Sequence, residues 1–499
     1  MGKYNIVAIG GTGAKCLEAI VHLCSTGLGP DELFVLVVDS DESNGNIEKL
    51  KKVITNYQEC YRILAPSSSI FRTKIDFSKE KITWSPARLG ESLANYFRYD
   101  TLISSYKELG DICNLLYSQP ELNLKWDKGF CGRSSIGAPV MSRIEELLHE
   151  PPWSDFIQNI EQNLGSGKDS RLFVLASIFG ATGASGFPVV AGILREHFKN
   201  KKDLYIGGAL LLPYFSFTVP PKQKGKGVFS APEDFLLKTK VALTHYSYIW
   251  DMEPSPYDLV YLTGEKVQDR QEGETERRFA AGGPDQNNYA HFIELLAALS
   301  SFDFYSKTID RGSVQQLATA RVKEKVIEWR DLPSDDIKTM LLFFSTLAFS
   351  YRVFYHPLLI DLNLSKKPYL ASWYVDHFLD TRLSSDIEKG NLKSVYDYFQ
   401  TFLEWLYEIC SSTGRELQFL NRNAFTESKN KDFKDLDDKY FKTLSPTDGC
   451  ECSLGYDSLW NMLCNLTSAT AEGPSSPAGR FTYLLYKASG EFCMKNYSM

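Results

Sequence analysis

The 499-residue chain lacks any apolar run of the about 18 residues that crossing a bilayer takes, so no membrane span is expected. Its start, Met1-Gly2-Lys3-Tyr4-Asn5, runs directly into the apolar Ile6–Ile9. It has neither the long apolar stretch nor the small-residue cleavage site of a secretory signal, and Asn5-Ile6 fits a myristoylation motif poorly. The protein is therefore read as cytoplasmic. Positive charge is not in excess. Lys and Arg number 55 against 62 Asp and Glu, a formal net charge of −7. A nucleic-acid partner is not expected, because phosphate backbones call for a concentrated basic face. The ten cysteines form no C-x-x-C pair, and the only close pair is Cys450-Glu451-Cys452. A zinc site more often shows two such pairs, so these thiols read as reduced and incidental. No internal repeat, low-complexity tract or G-x-x-x-x-G-K-[ST] phosphate loop is present.

What is present is enough apolar material for a sizeable core. Hydrophobic residues make up 43% and aromatics 13%. The length suits two to four domains of roughly 100–200 residues each. Strand and helix patterns alternate in the first part. Ile6–Ile9, Leu33–Val38, Leu172–Ser177, Leu204–Leu212 and Leu259–Leu262 are short apolar runs. Ala14–Leu23 and Pro188–Phe198 between them read as helices. Continuously apolar strands separated by helices imply an α/β fold, a parallel sheet with helices on both faces. Residues 216–232 and 263–286 read as loops, and Asn287–Asp303 as a helix with Phe292, Leu295, Leu296 and Leu299 at helical spacing. Farther on, Ile337–Phe354, Leu392–Ser411 and part of Phe419–Leu444 read as helices, and Ser445–Gly455 as turns. Three units follow: an α/β domain over 1–286, a connecting core helix over 287–310, and a mostly helical C-terminal domain over 311–499.

Two strands end in glycine-rich turns that lead into helices. The first is Ile9-Gly10-Gly11-Thr12-Gly13-Ala14-Lys15, and the second is Phe179-Gly180-Ala181-Thr182-Gly183-Ala184-Ser185-Gly186. Glycine lets the backbone reach positive φ and approach a ligand closely. The helix N-terminus behind it offers unpaired N–H groups and a partial positive charge to an anion. The first turn alone also fits a dinucleotide-binding Rossmann fold, since Asp39 follows the second strand. However, the third glycine of G-x-G-x-x-G is replaced by Cys16. Such a fold needs no second glycine turn so much later, whereas a site that grips a polyphosphate from two sides does.

Residues 173–190, F-V-L-A-S-I-F-G-A-T-G-A-S-G-F-P-V-V, resemble without gaps the G-G-G-T-G-[ST]-G signature of the tubulin/FtsZ superfamily and its flanks. Gly180, Thr182 and Gly183 match, while Phe179, Ala181, Ala184 and Ser185 depart from it. Ile6–Lys15 resembles the first nucleotide loop of FtsZ. Leu36–Asp41 resembles the end of its second strand, and Pro213–Phe217 its P-F-S-F segment. The resemblance covers about residues 4–305 and is nearest to the divergent bacterial tubulin-like proteins.

The resemblance implies GTP or GDP as ligand, with Mg²⁺. It implies that Gly10, Gly11, Thr12 and Gly13 present donors to the α- and β-phosphates. Gly180, Ala181, Thr182, Gly183 and Ala184 would surround the β- and γ-phosphates. Lys15 lies either near the phosphates or in solvent. Asp39 and Asp41 either hold the metal through waters or cap a turn. Gly132 and Arg133 fall where the family has a γ-phosphate loop, though Arg133 also reads as a surface residue. Asn288 and His291 open the helix that runs from the base in the family, and His291 reads equally as an ordinary core or surface histidine. Asp303 and Asp310 are the nearest candidates for the carboxylates that act on a neighbouring subunit's nucleotide, although the family's N-x-D-x-x-D is absent. Three functions follow. The first is a GTPase assembling head-to-tail with itself into filaments. The second is a non-polymerising GTP switch or scaffold whose C-terminal helices bind a protein partner. The third is a Rossmann-type NAD-dependent oxidoreductase.

Overall fold

A computed structural model describes residues 3–41, 43–64, 69–88, 90–126, 129–130, 132–214, 235–264, 286, 288–309, 315–319, 332, 334–354, 385–411, 456–466 and 473–496. The strands are β1 (Tyr4–Ile9), β2 (Glu32–Val38), β3 (Lys74–Asp76), β4 (Thr83–Trp84), β5 (Ser170–Ser177), β6 (Leu204–Leu211), β7 (Leu259–Thr263) and β8 (Gln315–Thr319). They form one sheet in the order β3-β2-β1-β5-β6-β7-β8, with β4 also paired to β2. Every pairing is parallel. The expected α/β architecture is the one observed.

Adjacent residues of β6 show that both faces are covered. A side chain at Gly207 would strike Phe304 of the core helix (Phe292–Ser306) at 2.6 Å, while one at Gly208 would strike Phe187 of the helix Ala181–His197 at 2.7 Å. Side chains alternate across a strand, so these two helices lie on opposite sides of the sheet. Burial on both faces is why β1, β5 and β6 are mostly apolar. The core helix is tied across the sheet by Tyr4, whose hydroxyl donates to the Ser301 carbonyl at 2.7 Å.

Beyond the core helix the structure departs from the expected boundary. β8 falls inside the segment expected to be mostly helical, and it extends the sheet by pairing with β7. Its sequence, Gln-Gln-Leu-Ala-Thr, carries no apolar run, as suits a strand at the end of the strand order. The helices Asp335–Phe354, Asp386–Ser411 and Pro477–Asn496 do occupy the C-terminal part. They share a core with the sheet domain. Phe344 and Tyr398 pack on Phe71 with ring centroids 5.6 Å and 4.9 Å away, and Trp405 covers His22 of the first helix at 4.7 Å. Among the described residues no helix is long and apolar enough to cross a membrane. Asp310, most of the two loops at 216–232 and 263–286, and the segments 419–444 and 445–455 lie outside the described residues.

Candidate functional site

The strand order reverses between β1 and β5. The chain runs from β1 outward to β2, then returns to place β5 on the other side of β1. In open parallel sheets ligands bind in the crevice beyond the carboxyl ends of the strands at such a point. Both glycine turns are there. Gly10–Ser25 is the helix after β1, and Ala181–His197 is the helix after β5. A Cβ on Gly10 would lie 3.5 Å from Cβ of Thr182 and 3.6 Å from the Gly183 nitrogen. The two turns are therefore opposite walls of one crevice. At neither helix does a side chain cap the first turn. The backbone donors of a first turn have no partner inside their own helix.

The glycines divide the work. Gly10 has φ +74°, which an L side chain adopts only under strain. Gly13 and Gly183 leave no room for a side chain against the sheet. A Cβ on Gly13 would come 2.7 Å from the Leu175 carbonyl, and one on Gly183 would come 2.5 Å from the Ser177 carbonyl. Both seat their helix tightly against β5, which lets each turn stand close to the sheet edge. Gly11 faces a pair of amides: its missing Cβ would lie 3.1 Å from Asn46 Nδ2 and 3.2 Å from Asn44 Nδ2. In the second turn, the Ala184 N–H donates to the Gly180 carbonyl at 2.8 Å, and the Ala184 carbonyl accepts from the Tyr246 hydroxyl. Ser185 returns its hydroxyl to the Ala181 carbonyl at 2.8 Å.

At the end of β2, Asp39 joins the two halves of the site. Its carboxylate accepts from the Asp41 N–H at 3.2 Å, and the Thr182 hydroxyl lies near enough to favour its charged form. Burial pushes the Asp39 carboxyl up to about 7, and the nearby Asp41 adds to the rise. Asp41 is itself buried and accepts from the Ser43 hydroxyl at 2.8 Å. Between them, the buried Ser40 hydroxyl has no hydrogen-bond partner among the described residues. Two buried carboxylates side by side, one of them driven towards its neutral form, suit a cation. No group of three His, Cys, Asp or Glu side chains among the described residues could hold a metal by itself. A Mg²⁺ ion would thus take most of its ligands from waters and phosphate oxygens, as that ion commonly does.

Lys15 points neither to solvent nor to a glycine turn. It is buried in an ion pair with Glu294 of the core helix, which also accepts from the Tyr214 hydroxyl. Tyr214 in turn reaches the Thr12 hydroxyl. A second Glu294 oxygen accepts from the His291 N–H at 2.9 Å. Burial raises the Glu294 carboxyl, against the pull of Lys15. His291 caps the core helix, its Nδ1 accepting from the Ile293 N–H at 3.1 Å, and its ring lies 4.7 Å from that of Tyr214.

Asn288 presents its backbone: its N–H donates to Asn46 Oδ1 at 2.9 Å. The Asn44 amide donates to Gln286 Oε1 at 2.9 Å. Asn44, Asn46, Gln286 and Asn288 thus form a polar cluster beside Gly11, of which only Asn288 was foreseen. Arg133 is exposed and 3.6 Å from Glu121. Gly132, at φ +76°, turns the chain just before it. The same loop does reach the site, but through Gly129, whose Cβ would sit 3.9 Å from Ser40 Oγ. Asp303 is far from these groups. It lies at the opposite end of the core helix from His291, about 18 Å away at 1.5 Å per residue. There it accepts from the Tyr261 hydroxyl at 2.5 Å and pairs with Lys307 at 3.6 Å.

No protein-family model matches the chain, and no curated protein matches it. Among solved structures it is similar to CetZ from Methanosaeta thermophila strain DSM 6194, at 14% identity over 62% of this chain and 57% of that one, with a TM-score of 0.28. It is similar to a GTPγS-bound protofilament of CetZ2 from Haloferax volcanii, at 14% identity over 60% of this chain and 58% of that one, with a TM-score of 0.29. It is also similar to a GTPγS-form protofilament of TubZ from Bacillus thuringiensis serovar israelensis, at 12% identity over 62% and 57%, with a TM-score of 0.27. The chain spans less than two thirds of the length of each of these structures.

Proposed function

We propose that the chain is a guanine-nucleotide-binding protein of the tubulin/FtsZ superfamily and hydrolyses GTP when copies of it meet head to tail. The observation that carries this reading is the 3.5 Å approach of Gly10 to Thr182 across the switch point. Two uncapped helix N-termini then converge on one crevice, and a polyphosphate is the ligand whose charge such a pair would offset. The polar cluster of Asn44, Asn46, Gln286 and Asn288 supplies donors and acceptors of the kind that read a base edge. It stands beside Gly11, so base and phosphates would lie along the first turn. Asp39 and Asp41 fit an ion that neutralises phosphate charge.

An NAD oxidoreductase would use an acid at the end of β2 to bind a ribose. Here Asp39 stands beside Thr182 of the second turn, which favours the two-sided phosphate grip. The placement of Asp303 supports action between copies. A carboxylate at the far end of the core helix cannot serve the glycine turns of its own chain. In a head-to-tail stack it would face the turns of the next one, and such heterologous contacts form open filaments.

The test is a panel of GTP, GDP, ATP and NAD titrated onto the purified protein, with identification of any co-purified nucleotide. Preferential GTP and GDP binding supports the reading, and NAD binding in its place overturns it. Sedimentation with GTP against GDP tests assembly: nucleotide-dependent pelleting supports filaments, and one monodisperse species in both favours a non-polymerising switch.

A further inference from the structure

The C-terminal helix Asp386–Ser411 sends one carboxylate into the neighbourhood of the polar amide cluster. Glu408 Oε2 accepts from the backbone N–H of Ala290 at 2.9 Å and from Lys49 Nζ at 3.0 Å. These partners belong to the two segments that build the cluster. Ala290 follows Asn288 by two residues, just before the core helix. Lys49 lies one turn beyond Asn46 in the helix Gly45–Leu64. Lys49 also reaches Glu18 of the first-turn helix at 3.1 Å. One oxygen thus joins both amide-bearing segments, and the lysine connects them to the helix behind Gly10.

We propose that Glu408 is a positioning residue for the base end of the nucleotide site, so that the C-terminal helical part sets nucleotide discrimination. This rests on the reading of the crevice as a guanine-nucleotide site. The Asn46 side chain accepts from the Asn288 N–H, so a shift of either segment changes the spacing of the amides that would face a base. Glu408 holds that spacing from outside, with only 15% of its side chain exposed. The phosphate grip does not depend on it. Gly10 packs on Thr182 and Gly183, and Gly183 on Ser177 of β5, whereas the partners of Glu408 are Ala290 and Lys49.

The full-length protein and its variants are titrated with fluorescent GTP and ATP, and with inorganic tripolyphosphate as competitor. Glu408→Ala is expected to weaken GTP binding about tenfold and to shrink the GTP-over-ATP preference by the same factor. Tripolyphosphate affinity should stay unchanged. Glu408→Gln keeps an oxygen for the Ala290 amide and should restore most of the preference. Glu408→Asp falls one methylene short and should not. If Glu408→Ala fails to fold, the Asp and Gln pair carries the test. Parallel weakening of GTP and tripolyphosphate, or an unchanged GTP preference in Ala and Asp alike, overturns the proposal. A wild-type protein that does not prefer GTP over ATP overturns the guanine reading itself, and this proposal with it.

Discussion

Lys15 and Glu294 close an ion pair inside the molecule, with 5% and 1% of their side chains exposed. The pair ties the helix behind the first glycine turn to the core helix that leads to Asp303. Removing one partner of such a pair leaves an unpaired buried charge, which typically costs ~3–5 kcal/mol. Glu294→Ala should therefore lower the free energy of unfolding by about that much in urea titrations. Replacing both groups, as Lys15→Met with Glu294→Gln, leaves no buried charge, keeps an acceptor for the His291 amide and turns an NH2 donor toward the Tyr214 oxygen. The double variant should recover most of the loss. A double variant as unstable as Glu294→Ala would show that the ion pair is not what Glu294 supplies.

Three glycines near the crevice should respond in three different ways. A methyl on Gly183 meets the Ser177 carbonyl at 2.5 Å, and backbone cannot step aside cheaply. Gly183→Ala should cost ~1–3 kcal/mol of stability. Gly10 has ordinary space for a methyl but sits at φ +74°, so Gly10→Ala should cost ~1–2 kcal/mol and weaken polyphosphate binding by more than that strain alone explains. Gly192 lies within the helix Ala181–His197 with nothing within 4 Å of its missing Cβ. Gly192→Ala should stabilise the protein by ~0.5–1 kcal/mol and leave binding alone. Thermal melts and GTP titrations of the three variants separate these outcomes.

The sheet was legible because its central strands are apolar runs ended by glycine turns, a pattern that burial on both faces imposes. β8 was not, because Gln315–Thr319 has neither an apolar run nor alternation. The phosphate side of the site was legible for a related reason. Glycine at a strand end has few uses, and Gly10 does take the positive φ that glycine allows. What could not be read was the division of labour. Gly13 and Gly183 look like donors in sequence, and the structure adds a packing role, since a side chain at either would strike a β5 carbonyl. Lys15 looks like a phosphate ligand until Glu294, contributed from far along the chain, claims it. The same holds for Asn44, Asn46 and Gln286. Their only sequence signal is a density of amides at the start of one helix and before another. Their meeting depends on the core helix crossing the sheet.

The unliganded protein should lose stability as pH rises through the range in which Asp39 ionises. Its folded carboxyl titrates near about 7, above the ordinary aspartate value, because burial disfavours its charge. Such a group contributes stability that is fully present below about pH 4 and is lost by the time the pH passes 7. Asp39→Asn cannot ionise. Measured without nucleotide or Mg²⁺, the variant should gain on the wild type between about pH 4 and pH 7, with no further change in the gap above that. A gap that stays constant across this window would mean that Asp39 is charged in the folded protein throughout.

Asp303 offers the sharpest test of action between copies. If hydrolysis needs the glycine turns of one chain and the core-helix end of the next, damage to either should abolish it in a pure preparation. Asp303→Asn keeps an acceptor for Tyr261 and removes the charge. Gly10→Ala with Thr182→Ala damages the turns and leaves the core helix intact. Each variant alone should hydrolyse GTP at least about tenfold more slowly than wild type, a loss of ~1.4 kcal/mol or more in transition-state stabilisation. Mixed in equal amounts, some contacts would bring intact turns from the Asp303→Asn chain against an intact Asp303 from the other. Phosphate release should then rise well above the average of the two separate preparations and should fall again on dilution below the assembly concentration. A mixture no more active than that average would place catalysis within one chain, or assign it to a carboxylate other than Asp303.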